Sequence, residues 1–401
     1  VSGALTAPAQ AEDLRIEVVS SAADFDLLEN CWDDLCNRAI ESYPMLLHAW
    51  LRAWRQAFAA TAECHVVLVW AGKVLVGAAP FTLVVERRFL RTRRVLTLFV
   101  NSWVDRTHLL VAAEHDALAI VAAIFGGLEQ SGVDFDLVEL GPLDDASPLT
   151  ATLLVAMRER RWRVGVKDSL QSPCLKLPQD WEPLLASLSS GFRQSLRRKL
   201  RKVEAIPGAS MRVSRDASCL DAISAISLET WQEDQHTSMC STPAIRDFYA
   251  TVIIDAAERG SLRCAVLELD GMPVAFDFNL MHRHTLHNFK LGYCKSCAHL
   301  SPGVALRAFL LRELYRGPDA AKPVEFDLMG ASEPYKLEWT HAIRSHGCYL
   351  LFPRRLEPMV IWWAYFWLVP HIRQHAPWLL PPLRTLRSLV RKGGHAHADR
   401  K

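Results

Sequence analysis

The sequence predicts a mixed α/β chain made of two tandem copies of one unit. Each copy is expected to hold a mixed, mostly antiparallel sheet flanked by helices. Three observations predict this. The chain has 401 residues, which at roughly 100–200 residues per domain favours two domains over one. Matched residues recur at a single offset: Trp32 and Trp231, Pro44 and Pro243, Trp50 and Tyr249, and Gly72 and Gly271 are each 199 positions apart. The same order of elements (strand, helix, helix, hairpin, strand, helix, strand) can be read twice along the chain.

Taken in order, residues 15–20 and 211–215 read as short strands, and each leads into a helical stretch with its paired tryptophan. A second helix is expected at 45–60 and again at 244–259. Next comes a β-branched run, a tight turn at Ala71-Gly72 or Asp270-Gly271, and a second run, which is a hairpin signature. Further strands are expected at 95–101 and 285–292, then helices at 116–130 and 303–316. These helices lead into Asp134-Phe135-Asp136-Leu137 and Glu325-Phe326-Asp327-Leu328. The resulting division is a disordered tail at 1–13, a first unit at 14–180, a basic linker helix at 181–210, a second unit at 211–353, and an aromatic and basic tail at 354–401.

Hydrophobic residues make up 50% and charged residues 22%, so a sizeable core can form and wholesale disorder is excluded. Lys+Arg 46 against Asp+Glu 44 leaves a net charge of +2, which argues against a nucleic-acid binder saturated with positive charge. Several of the ten cysteines, such as Cys31, Cys219 and Cys264, lie in apolar runs. The first thirteen residues lack the basic start and apolar stretch of a signal peptide. The expectation is therefore a cytoplasmic chain with reduced thiols. Cys294 and Cys297 form a CxxC beside His299, but no second pair stands at zinc-finger spacing, so no metal is expected.

Three segments carry a resemblance. They are the basic run Phe192-Arg193-Gln194-Ser195-Leu196-Arg197-Arg198-Lys199-Leu200, the loop Leu300-Ser301-Pro302-Gly303, and Phe326-Asp327-Leu328-Met329-Gly330 followed by Glu333-Pro334-Tyr335-Lys336-Leu337-Glu338-Trp339. In order and spacing the chain resembles the GNAT acyltransferase fold. More closely, it resembles the tandem-GNAT family of CelD-like acetyltransferases of cellulose and exopolysaccharide biosynthesis; the Fem aminoacyl-tRNA-dependent peptidyltransferases are more distant. The likeness spans roughly residues 15–350. It implies acetyl-CoA or another acyl-CoA as co-substrate, with an amino sugar or glycan precursor as acceptor.

The loop has a physical rationale. A helix N-terminus leaves N–H groups unpaired and carries about half a positive charge, so it suits phosphate. Ser301 would cap the helix, Pro302 fits its first turn, and Gly303 would let a ligand approach the backbone. The run departs from the usual R-x-x-G-x-G/A form. The first copy has no glycine between Arg106 and Asp116, so donor binding is expected in the second copy alone.

Asp277, between Phe276 and Phe278, is a candidate base or amine ligand facing an acceptor cleft; a solvated strand face is the alternative. His287 is the best placed for base work among His282, His284 and His287. Tyr293, Tyr315 and Tyr335 are candidates to protonate the leaving thiolate, against the plainer role of buried aromatics. By resemblance to Fem-type enzymes, Lys336 would contact a substrate phosphate or the tetrahedral intermediate, with Glu333 at the same mouth.

Residues 193–202 hold six basic side chains and no acid, while Phe192, Leu196, Leu200 and Val203 form one apolar stripe. Arg197 and Arg198 on the cationic face suit a phosphorylated acceptor first and tRNA second. The run 358–370 is uncharged and holds Trp362, Trp363, Tyr365, Phe366 and Trp367. As a helix it reaches about 20 Å, short of a ~30 Å hydrocarbon core. Packing on the protein, a dimer contact and peripheral attachment to an anionic membrane surface all remain open for it. The leading expectation is an acyl-CoA-dependent N-acyltransferase. The alternatives are a Fem-like transferase using charged tRNA and a non-catalytic regulator of polysaccharide synthesis.

Overall fold

In the first half, Val66–Val69 and Val76–Phe81 alternate little and are buried on both faces, as strands covered by helices require. They lie in a hairpin whose turn glycine, Gly72, takes φ +59°. The second half repeats this with Leu262–Leu269 and Met272–His282, where Asp270 and Gly271 both take positive φ. The computed structural model describes residues 13–88, 91–101, 104–230, 238–316 and 322–375. Trp231, residues 1–12 of the expected 1–13 tail, and 376–401 lie outside the described residues.

The strands are β1 (Leu14–Val19), β2 (Cys64–Ala71), β3 (Val74–Arg88), β4 (Arg91–Leu98), β5 (Leu110–Val111), β6 (Leu137–Asp144) and β7 (Arg163–Lys176) in the first half. The second half has β8 (Ala209–Ser214), β9 (Leu262–Leu269), β10 (Met272–His282), β11 (Thr285–Tyr293), β12 (Glu325–Asp327) and β13 (Ile343–Phe352). All belong to one sheet in the order β1-β2-β3-β4-β6-β13-β7-β12-β11-β10-β9-β8, with β5 beside β3. The fold is mixed α/β, as expected, and the element order of the first half recurs in the second.

The centre of this order shows what sequence could not. The last strand of each half crosses into the other. β7 pairs with β12 (Phe326 opposite Leu175), and β13 pairs with β6 (Leu350 opposite Glu139). The two exchanged strands run antiparallel to each other from Ile343–Pro173 to Phe352–Arg163. The halves are thus joined by ladder hydrogen bonds and cannot part without exposing unpaired backbone.

Each half contains one parallel pair, three residues long. Val95–Thr97 lie beside Leu137–Glu139, and Thr285–His287 beside Glu325–Asp327. The β11–β12 ladder ends at His287–Asp327, while the other edge of β11 stays paired with β10 as far as Tyr293. The sheet therefore splays open in the second half.

Helices close the seam as well. His48–Phe58 packs on Pro243–Glu258, with the Trp50 ring edge-on to Phe248 at 5.2 Å and 5.0 Å from Phe289. The basic helix Ser190–Glu204 buries Phe192, Leu196, Leu200 and Val203, the stripe expected from spacing, and Ser189 caps it by accepting from the Phe192 N–H. It lies along Pro302–Arg316. At the C-terminal end, Leu356–Trp363, a π turn Ala364–Leu368 and Val369–His375 run on as one helix. Ile361, Trp362 and Phe366 of this helix pack on Val95, Leu137, Leu350 and Phe352, so the expected aromatic segment docks by one side on the sheet.

Gly165 makes that docking fit, because a Cβ there would stand 2.0 Å from the Phe366 ring. Gly165→Val is expected to lift the 356–375 helix from the sheet. Limited proteolysis should then cleave between 353 and 375 several-fold faster, while the far-UV spectrum of the rest of the chain is retained.

Candidate active site

The splayed edge of β11 is surrounded by polar side chains that the sequence scatters widely. On the inner side is a fully buried network. Arg307, on the helix Pro302–Arg316, donates from Nε to Asp277 Oδ2 (3.1 Å) and from Nη2 to Asn288 Oδ1 (2.7 Å). Asn288 donates to Asp277 Oδ1 (2.6 Å) and to Asn279 Oδ1 (2.9 Å). Asp277 is therefore not open to a cleft. It is wholly buried, and its carboxylate is committed to Arg307 and the two asparagines. The Arg307 guanidinium sits 5.5 Å from the Phe326 ring and 6.0 Å from the Tyr335 ring. Through Arg307, then, Asp277 and Tyr335 share one cluster.

Sequence periodicity carried a signal for this network. Arg307 falls on the same stripe as Gly303, Leu310, Leu311 and Leu314, all buried. A cation on an apolar stripe requires a buried partner.

Lys336 is almost fully buried and donates to the carbonyls of Met329 (2.7 Å) and Ala331 (3.2 Å) and to Glu333 Oε2 (2.7 Å). These three bonds use all the donors of its ammonium. Burial lowers its pKa and Glu333 opposes that shift. Gly330, at φ +57°, leaves the space beside it: a Cβ there would lie 3.0 Å from Lys336 Nζ and 3.8 Å from Asp105 Oδ2. Asp105 comes from the first half and was not singled out from sequence. Burial raises its pKa, against the pull of Arg106, Lys290 and Lys336. Lys290, half-buried on β11, has its pKa lowered by burial, with Asp105 opposing. Tyr335 is pushed up to about 12 by burial, against Arg307, and it feels Tyr293 nearby. Tyr293, Tyr335, Lys336 and Glu333 thus come together, joined by Lys290 and Asp105.

A second buried cluster lies directly at the seam. Arg106 Nη2 reaches both oxygens of Asp327 at 2.9 Å. Arg344, from the exchanged strand β13, reaches Asp327 (3.4 Å), Glu325 (3.0 Å) and Asp144 (3.2 Å). Burial opposes ionisation of Asp327, but Arg106, His287, the Met329 N–H and Arg344 keep its pKa below the ordinary carboxylate value. His287 pairs in register with Asp327 and is buried, with Nδ1 unpartnered. Burial drives it down to about 3, so the position expected to act as a base holds a neutral, enclosed imidazole. His282 Nε2 lies 2.8 Å from Ser42 Oγ. Among the described residues, no three His, Cys, Asp or Glu side chains converge in a way that could hold a metal ion.

The loop at the head of Pro302–Arg316 also differs in detail from expectation. Ser301 takes φ +52° and ends the preceding 3-10 turn rather than capping through its hydroxyl. Gly303 packs against Leu291 of β11, where a Cβ would meet Cδ2 at 2.7 Å. The first-turn N–H groups of Gly303 and Val304 have no partner within the helix. The basic helix brings cations to this loop, where Lys202 Nζ donates to the His299 carbonyl at 3.1 Å. Arg197 and Arg198 are exposed, and Arg197 has only a distant pairing with Glu182 at 3.8 Å. Tyr315 is buried on the same helix with its hydroxyl unpartnered.

Residues 190–337, which span the basic helix, the loop and the β12 mouth, match the family described as acetyltransferase (GNAT) domain. Over this stretch the likeness is to an acyltransferase domain. Across solved structures, the acyltransferase is similar to FemX, with a TM-score of 0.60 at 8% identity, covering 87% of this chain and 99% of that one. It is also similar to the C-terminal domain (DUF2156) of a putative lysylphosphatidylglycerol synthetase from Agrobacterium fabrum (TM-score 0.52, 13% identity, 85% of this chain and 95% of that one). At these identities the likeness shows the fold. No curated protein matches the sequence.

Two outcomes test this geometry. Arg307→Leu leaves the Asp277 charge buried without its counter-ion, and should cost the acyltransferase about 3–5 kcal/mol in denaturant unfolding; the double variant with Asp277→Leu should recover most of it. The second concerns pH. Burial lowers His108 and His287 to about 3 and His282 and His346 to about 4, from an ordinary 6.5. Between those values the unfolded chain binds protons that the folded one refuses, so stability falls as pH drops. Calorimetric melting temperature should decline from about pH 6.5 towards pH 4, less steeply in His346→Phe.

Proposed function

We propose that the chain is an acyl-CoA-dependent N-acyltransferase of the tandem, CelD-like kind. It moves an acetyl or longer acyl group to an amine on an amino sugar or glycan precursor in exopolysaccharide or envelope biosynthesis. The observation that carries this reading is the cluster of Lys290, Tyr293, Tyr335, Lys336 and Asp105 where β11 and β12 diverge, within the half that matches the acyltransferase family. In this reading the second half, 211–353, binds the donor. The first half, 14–180, contributes Asp105 and β7 but no donor loop. The donor diphosphate lies at the first-turn amides of Gly303 and Val304, beside Lys202 and Arg198 of the linker helix.

The chemistry is addition and elimination. The acceptor amine attacks the thioester carbonyl, a C–N bond forms, and the C–S bond breaks. Backbone N–H groups where β11 and β12 diverge receive the developing oxyanion. Asp105, whose raised pKa suits a base, takes the proton from the attacking amine. Tyr293 or Tyr335 gives a proton to the leaving thiolate. Asp277 acts one step back, by fixing Arg307 beneath Tyr335. Lys336 and Lys290 hold an acceptor phosphate. Lys336 reaches it by exchanging its bond to Glu333, which is about half exposed and free to swing.

The exposed face of Arg197 and Arg198 favours a second reading, a Fem-like transferase that takes its acyl group from aminoacyl-tRNA. Binding of tRNA that falls steeply with salt would support it. No helix among the described residues is long and apolar enough to cross a membrane. We place the chain in the cytoplasm, with its aromatic C-terminal helix at the inner face of the membrane.

Isothermal titration with acetyl-CoA should give saturable heat, and silence with acetyl- and longer acyl-CoAs overturns the reading. Lys336→Met should lower kcat/KM by roughly 10²-fold, chiefly through the KM for the acceptor. Glu333→Gln should lower that KM.

A further inference from the structure

The helix formed by Leu356–Trp363, Ala364–Leu368 and Val369–His375 is apolar on two sides, and the protein uses one. On the docked side, Ile361, Trp362 and Phe366 pack on the sheet, and the Trp362 indole N–H donates to the Val164 carbonyl at 3.2 Å. On the outer side, Leu356 (85% exposed), Val360 (54%), Trp363 (43%) and Trp367 (51%) follow one another at spacings of 4, 3 and 4, which makes a single stripe. The Trp363 and Trp367 rings stack at 4.9 Å, and Trp367 stacks on His371 at 5.3 Å. Neither outward indole N–H has a partner among the described residues. A soluble helix ordinarily turns polar side chains to this face.

The rim is cationic. Arg163 lies 5.3 Å from the Trp362 ring, and Arg93 and Lys167 lie 5.4 and 5.9 Å from the Tyr365 ring. Arg354 and Arg355 stand at the head of the helix. Asp134, the nearby acid on the sheet side, is taken up by Arg94 and Arg355. Glu357 is the last acid before a stretch, 358–398, that has none and that carries Arg373, Arg384, Arg387, Arg391 and Lys392.

We propose that this stripe docks flat on an anionic phospholipid bilayer, with Trp363 and Trp367 at the boundary between headgroups and acyl chains. Twenty helical residues extend about 30 Å along the surface. Indoles with free N–H groups suit the carbonyl level of a bilayer, and the surrounding cations attract lipid phosphate. A second protein fits less well, because one narrow stripe falls short of the roughly 800 Å² per partner that a stable interface covers. The inference deepens the inner-face localisation proposed above, yet it is read without turnover, so it stands or falls separately from the chemistry.

The test is co-sedimentation of the full chain with phosphatidylglycerol/phosphatidylcholine vesicles and with phosphatidylcholine vesicles alone. Binding to the anionic vesicles, a blue shift of tryptophan emission and weakening by salt are expected. W363S/W367S should lower vesicle affinity about tenfold or more while leaving the melting temperature unchanged. R163E/K167E should reduce the preference for anionic lipid. Absence of binding, or binding indifferent to the two tryptophans, overturns the proposal. So does a dimer in sedimentation equilibrium that W363S/W367S dissolves, because the stripe would then face a second copy.

Discussion

Asp327 is the point on which the two halves converge. Its carboxylate is fully buried and lies at the end of β12. Arg106 of the first half grips both of its oxygens, and Arg344 of the exchanged strand β13 grips one. Taking such charges out of water is costly, and the same volume of hydrocarbon would often be at least as stable. What the arrangement supplies is direction. Arg106 Nη2 bridges both carboxylate oxygens while Nη1 donates to the Asp105 carbonyl, so the Asp105–Arg106 segment is held against the mouth of the second half. The charges that surround Gly330 depend on that registration.

The exchanged strands complete the constraint. Because β13 sits between β6 and β7, and β7 between β13 and β12, neither half is finished without a strand from the other. The sheet stays paired across its centre but parts between β11 and β12 after three residues. Lys290, Lys336 and Asp105 gather near this divergence. Acyl transfer needs amides aimed at a developing negative charge and acid and base groups within reach.

Much of the frame was legible in residue order. The two hairpins, the paired helices, the apolar stripe Phe192–Leu196–Leu200–Val203 and the loop before Pro302 follow from local rules of turn chemistry and helical spacing. Lys336, Tyr335, Glu333 and Tyr293, singled out partly through resemblance, lie near one another because they come from two short segments of one half. Asp277 was visible as a residue but not as a partner of Arg307. A strand pattern tells which face a side chain takes and does not tell what waits on that face. His287 is similar: its spacing suggested an available base, and enclosure at the seam makes it a neutral imidazole.

The sequence by itself determined the two-fold repetition and the composition of each element. These depend on contacts within a few residues or on a fixed offset. Tertiary structure decided the strand exchange, the placing of Asp105 opposite Lys336, the burial of Asp277 and the outward stripe of Trp363 and Trp367. Each of these joins residues far apart in the chain, and periodicity holds no record of which distant surface an element will meet.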